Sequence, residues 1–218
     1  MFTTAIILAA GEGTRMRPIT EEIPKALVEV NEKPLIEYVI DQLNVNSINT
    51  YVTYGYKSDV LLPRLANKVA GFINTNGKEN AAVLKTTLVR NFSDPIVVVP
   101  CDVIFEIDFY KLYKEYINLA DFTNCSGMIV PVKHFNGISA DYVSMTDDRI
   151  ITSIRRDIST DICASGIQII DPKAVYHKQC HTFYEYWNQL ILEEKLYCSS
   201  QFPRKWKAYD TVNDLNNS

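Results

Sequence analysis

Three cations, Arg15, Arg17 and Lys25, fall within eleven residues of a chain that is acidic overall. They belong to the stretch Leu8-Ala9-Ala10-Gly11-Glu12-Gly13-Thr14-Arg15-Met16-Arg17-Pro18-Ile19-Thr20 and to Pro24-Lys25, which follows it. Glycines at 11 and 13 let the backbone turn tightly and aim its N–H groups at an anion, and the cations add charge. The chemistry predicted is phosphate binding. Spacing excludes two familiar phosphate loops: Met16 stands where a dinucleotide fingerprint needs its third glycine, and Gly-Lys-Ser/Thr is absent.

Asp102 directly follows the apolar run Ile96 to Val99, at the end of an expected strand. A carboxylate there suits magnesium, which keeps several waters and bridges phosphates; a turn or helix cap is the alternative reading. Chemistry on phosphates needs positioning and charge neutralisation more than a protein nucleophile, because a phosphate is already an anion. A Ser-His-Asp or Cys-His arrangement is therefore not required. His134, His177 and His181 show no metal-ligand spacing.

The motif Gly-x-Gly-Thr-Arg-x-Arg-Pro-x-Thr followed by Pro-Lys resembles the signature of the sugar-phosphate nucleotidyltransferase family, and every position matches. The resemblance is close over about the first 50 residues and looser to the end of the chain. It implies a Rossmann-like fold, magnesium, and the reaction NTP + R-phosphate → NDP-R + pyrophosphate. It places the NTP on Leu8, Ala9, Ala10, Gly11, Glu12, Gly13 and Thr14, Arg15 at the reacting centre, and Lys25 on phosphate oxygens. Catalysis falls to Arg15, Lys25 and Asp102. Cys101 stands where the family usually has glycine.

By the same resemblance, Asp210 is a second metal ligand and Asn80 contacts the base, although a helix cap would leave Asn80 looking the same. Gly166 borders the acceptor and Glu185 holds its hydroxyls. Arg155-Arg156-Asp157 replaces the family's Glu-Lys-Pro, which leaves Arg156 either on the acceptor phosphate or on the surface. The partners expected are an NTP and a small phosphorylated acceptor, foremost a sugar 1-phosphate. Tyr184, Tyr186 and Trp187 raise phosphocholine as the alternative, held in an aromatic cage. A non-catalytic nucleotide-binding subunit is a third reading, and a dehydrogenase is disfavoured by Met16.

The elements that must carry these residues follow from periodicity. Ala5 to Ala10 and Ile96 to Val99 are short runs apolar on both faces, as in central parallel strands. Helical spacing appears after Pro34, from Ser58 to Leu65 despite Pro63, over Asn80 to Val89, and from Ile107 to Leu119. Strands are expected at 48–54 and 69–73. Alternation of this kind predicts an α/β fold with a mostly parallel sheet and helices on both faces. Short strands at 128–132, 141–145, 150–155 and 166–170, then a helix through Phe183 and Trp187, predict a smaller mixed region in the second half. Residues 213–218 read as a frayed polar tail.

The chain has 218 residues, 47% of them apolar, with 22 Lys and Arg against 26 Asp and Glu. That supports one domain burying about 70% of its unfolded surface; set beside the family it resembles, the chain is expected to lack the helix-repeat or acyltransferase extensions of larger relatives. A net charge of −4 argues against nucleic acid as partner. Five cysteines without a Cys-x-x-Cys pair read as reduced thiols, and no signal peptide or membrane span is evident. A cytoplasmic protein is expected. Base, acceptor and oligomeric state stay open.

Overall fold

The computed structural model describes residues 1–75, 80–134, 140–175, 178 and 180–216. In chain order the strands are β1 (Thr4–Leu8), β2 (Glu29–Val30), β3 (Lys33–Pro34), β4 (Asn49–Tyr54), β5 (Gly71–Asn74), β6 (Ile96–Pro100) and β7 (Val103–Glu106). They continue with β8 (Gly127–Lys133), β9 (Tyr142–Met145), β10 (Ile151–Arg155), β11 (Ile162–Ile170), β12 (Leu196–Cys198) and β13 (Lys205–Ala208). The α-helices are α1 (Ile19–Glu22), α2 (Leu35–Asn44), α3 (Ser58–Leu65), α4 (Thr87–Arg90), α5 (Phe109–Phe122), α6 (Pro172–Val175), α7 (Phe183–Leu192) and α8 (Val212–Asn216).

Nine strands form the main sheet, in the order β10-β9-β11-β6-β1-β4-β5, with β8 beside β11 and β12 beside β8. The segment β6-β1-β4-β5 is parallel, and β11 joins it antiparallel to β6. The expected α/β architecture is present, with the mixed strands gathered on one side.

A side chain leaves a strand on alternate faces, so an unbroken apolar run serves two cores at once. Ala5 and Ile7 of β1 pack in one core with Val97 and Val99 of β6. Ile6 and Leu8 pack in the other with Ile96 and Val98. The first core is closed by the apolar face of α2, where Ile36, Val39, Ile40 and Leu43 are buried, and by Phe109, Leu112 and Tyr116 of α5. Asp108 caps α5 by accepting the Lys111 N–H at 3.0 Å, which starts the helix two residues after Ile107.

The continuous helix expected over 80–89 is broken. Asn80–Lys85 is a 3-10 helix, and α4 starts after Thr86, whose hydroxyl caps the Val89 N–H at 3.4 Å. A threonine that caps its own backbone competes with helix continuation. The tail expected to fray is helical through residue 216: the Asp214 carboxylate accepts the N–H groups of Asp210 and Thr211 at 2.9 and 2.7 Å. Among the described residues no helix is long and apolar enough to cross a membrane. All five cysteines are buried and free of disulfides.

Candidate active site

The site lies at the carboxyl ends of β1 and β6, the usual ligand edge of an open α/β sheet. The loop after β1 is tied to its neighbours on both sides. Leu8 accepts the Cys101 N–H at 3.1 Å, and Ala9 donates its N–H to the Thr53 hydroxyl at 2.9 Å. Gly13 takes a left-handed φ of +63°, and a Cβ there would stand 2.8 Å from Lys25 Cβ. Glycine at 13 thus serves both the turn and the close approach of Lys25. At Gly11 a Cβ would meet nothing within 4 Å, so the loop is open on that side.

β13 pairs antiparallel with β7, with Ala208 opposite Val103, and the Tyr209 N–H donates to the Asp102 carbonyl at 2.9 Å. This pairing carries the end of the chain to the start of the site. Lys25 Nζ donates to Asp102 Oδ2 and to Asp210 Oδ1, the latter at 2.9 Å. Arg15 grips Asp210 with both guanidinium ends, at 3.0 and 3.3 Å. The lysine side chain is only 12% exposed, whereas that of Arg15 is 68% exposed. Burial alone would lower the Lys25 pKa, but the charges of Asp102 and Asp210 outweigh it, so the net direction is upward. Burial first, and then the adjacent Asp102 carboxylate, push the Cys101 thiol up.

A cavity of about 550 Å³ opens over this cluster, bordered by Arg15, Asn80, Asp102, Arg156, Gly166 and Asp210. Six residues singled out from sequence thus border one cavity, with the Lys25 side chain mostly covered beside it. Arg17 turns away to Glu12 at 3.3 Å. Glu185 does not border the cavity: its carboxylate accepts the His181 N–H at 2.6 Å, beside the Thr182 cap of α7. Thr182 accepts the Glu185 N–H while the Glu185 carboxylate reaches back one residue before the cap, to His181, in the manner of a capping box. Gly77 to Glu79, part of the segment expected near the base, and His177 lie outside the described residues.

Gly166 adopts φ +87°, and a Cβ there would stand 2.8 Å from Pro100 Cγ, which explains glycine at the cavity wall. Opposite, Asp141 accepts from Arg156 Nε at 2.7 Å and from the Tyr184 hydroxyl. Burial, and then the bond to Asp141, push the Tyr184 pKa up to about 12. The guanidinium of Arg156 lies over the Tyr184 ring, 5.5 Å from its centre. Tyr186 and Trp187 are buried in the core, and Trp187 donates to Gln168 at 2.9 Å. Asp141, which also borders the cavity, carries no motif and is not legible from sequence; Trp206, on the same cavity, lies in the segment that leads to Asp210.

Two carboxylates converging on one cation are a donor set that hard divalent ions accept, once phosphate oxygens and waters complete the shell. Asp102 and Asp210 fit such an ion. Among the described residues no group of three or more acidic, His or Cys side chains forms a closed metal site.

Fold and site together define a phosphate-handling enzyme of the nucleotide-binding α/β class. The nucleotidyl transferase family model matches residues 4–138, and the chain belongs to that family. A D-glycero-alpha-D-manno-heptose 1-phosphate guanylyltransferase of Aneurinibacillus thermoaerophilus is 25% identical over 222 residues, 96% of this chain and 89% of its own. A choline-phosphate cytidylyltransferase of Streptococcus pneumoniae is 65% identical over 48 residues, 22% of this chain and 21% of its own. The solved structure of a CTP:phosphocholine cytidylyltransferase from Streptococcus pneumoniae has a TM-score of 0.76 at 26% identity, covering 100% of this chain and 97% of its own.

Proposed function

We propose that the protein transfers NMP from an NTP to a sugar 1-phosphate, with magnesium, releasing pyrophosphate and forming an NDP-sugar. The observation that carries this reading is the cluster Arg15–Asp210–Lys25–Asp102 under one cavity at the ligand edge of the sheet. In this reading residues 1–218 act as one domain, because the last strand supplies Asp210 to a site begun by the first.

An oxygen of the acceptor phosphate attacks the α-phosphorus; the new O–P bond forms as the bond to the β-phosphate oxygen breaks, and pyrophosphate departs. Arg15, exposed at the solvent side of the cluster, neutralises charge growing on the triphosphate. Lys25, fixed from below, holds a phosphate oxygen in line. Asp102 and Asp210 would hold the metal. Bound magnesium would lower the repulsion between the two anionic substrates. Leu8 to Thr14 cradle the nucleotide, and Asn80 borders its side of the cavity.

The far wall favours a hydroxylated acceptor. Asp141 and Arg156 border the cavity and, with the Tyr184 hydroxyl bonded to Asp141, offer acceptors and donors together, and Gly166 borders the same cavity. The heptose 1-phosphate relative spans nearly the whole chain and supports the same class. Phosphocholine is the second reading, favoured by the cytidylyltransferase relative and neighbour. It is weakened by the aromatic set: Tyr186 and Trp187 are core, and Arg156 already covers a face of Tyr184. Five buried thiols without disulfides support a reducing, cytoplasmic setting.

Pyrophosphate release, measured with each NTP and dTTP against sugar 1-phosphates and phosphocholine, tests the reading. Turnover with a sugar 1-phosphate is expected. Turnover with phosphocholine alone selects the second reading, and binding of NTP without turnover on any acceptor rejects transfer.

A further inference from the structure

The segment from the end of β1 into α1 is an arc, and Tyr56, outside it, touches both arms. Tyr56, two residues past the end of β4, donates its backbone N–H to the Ala10 carbonyl at 3.1 Å on the outgoing arm. Its hydroxyl donates to the Thr20 carbonyl at 2.8 Å on the returning arm. Thr20 is fully buried and donates its own hydroxyl to the Gly13 carbonyl at 2.9 Å. A continuous relay thus runs from β4 through Tyr56 and Thr20 to Gly13, the residue that abuts Lys25.

We propose that Tyr56 is a positioning residue for nucleotide binding, setting the distance between the two arms of the loop before the NTP arrives. The inference rests on the reading of this loop as the triphosphate cradle. A loop with a free returning arm must be ordered when the ligand binds, and that ordering cost is subtracted from affinity. Tied at both arms, the arc meets the ligand preformed. The hydroxyl is the separable part, because phenylalanine at 56 keeps the ring and the N–H bond to Ala10 and loses only the tie to Thr20. Asp141 and Gly166, on the acceptor side, share no hydrogen bond with this tie.

Steady-state kinetics of Tyr56→Phe, with calorimetric binding of a non-reacting NTP analogue and magnesium, tests the proposal. Losing one part-buried hydrogen bond that shapes a site is expected to raise KM and Kd for the NTP by about tenfold. Acceptor KM and kcat should stay within about twofold, and Tm within about 3 °C for a chain of this size. Thr20→Val should reproduce the effect and Thr20→Ser should not. The double variant Tyr56→Phe/Thr20→Val should fall short of the product of the single effects, since both cut one relay. An unchanged NTP KM in Tyr56→Phe overturns the inference, as does a parallel rise of both KM values with a large loss of Tm. If the wild-type protein binds no NTP, the reading of the loop fails and the inference with it. If it binds NTP and Tyr56→Phe binds equally well, only the inference fails.

Discussion

Lys25 and Asp210, 185 positions apart in the chain, meet with Nζ and Oδ1 at 2.9 Å. The same Nζ also holds Asp102, so one ammonium gathers both acidic residues of the site. Arg15 closes the cluster from the solvent side.

Arg15 makes its described bonds only to Asp210, and its side chain is mostly exposed. Arg15→Ala is expected to lower kcat by about a hundredfold, the usual loss for one preorganised charge contact to a transition state. Stability should move by less than about 0.5 kcal/mol, as for other exposed substitutions. Pyrophosphate release and thermal melting, measured side by side, separate the two effects; a large fall in Tm would make Arg15 structural.

Lys25→Met leaves Asp102 and Asp210 facing each other without their shared cation. Removing one partner of a buried ionic cluster costs about 3 kcal/mol, and the exposed position of Asp210 places the expected loss at or below that. Magnesium should recover part of it by neutralising the same two carboxylates. Melting of the variant in chelator and in millimolar magnesium checks this, and equal Tm values in both would count against a metal held by Asp102 and Asp210. Asp102→Asn and Asp210→Asn should each abolish magnesium-dependent turnover while the fold persists.

The raised pKa of Lys25 sets the direction of a pH effect. The folded protein holds this proton more tightly than the unfolded chain does, where the value is 10.5. The stabilisation is therefore complete below about pH 10.5 and is lost as pH rises through the higher folded value. The stability difference between wild type and Lys25→Met should stay constant from about pH 7 to pH 10 and shrink only above that. A difference that already fades near pH 8 would mean that the two carboxylates do not outweigh burial.

Gly166→Ala combines a left-handed backbone with a Cβ 2.8 Å from the Pro100 ring. The backbone conformation alone costs on the order of 1–3 kcal/mol in a residue with a side chain. Tm should fall accordingly and the acceptor KM should rise, while NTP binding stays near normal. Adding Pro100→Ala should relieve the contact but not the backbone strain, so stability should return only in part.

Residue order alone made the chemistry near the amino terminus legible, because that chemistry is contiguous: the glycines, Arg15 and Lys25 lie on one short segment. It also made the parallel sheet legible, since runs apolar on both faces, such as 5–10 and 96–99, fit only strands covered on two sides. The residues that complete the site came from packing. Asp210 reaches Lys25 through the register of β13 on β7, a pairing between segments about 100 residues apart. Asp141 reaches the cavity with Tyr184 of α7 bonded to it, a contact that no spacing rule announces. Tyr56 looks like any residue after a strand until its hydroxyl is found on the returning arm of the loop. Glu185 resembled a binding residue, yet the local geometry of a helix start uses its carboxylate for the backbone. Local pattern records what a segment can form by itself; which distant side chains share a cavity depends on strand register and sheet order, where contacts of long sequence separation decide the outcome.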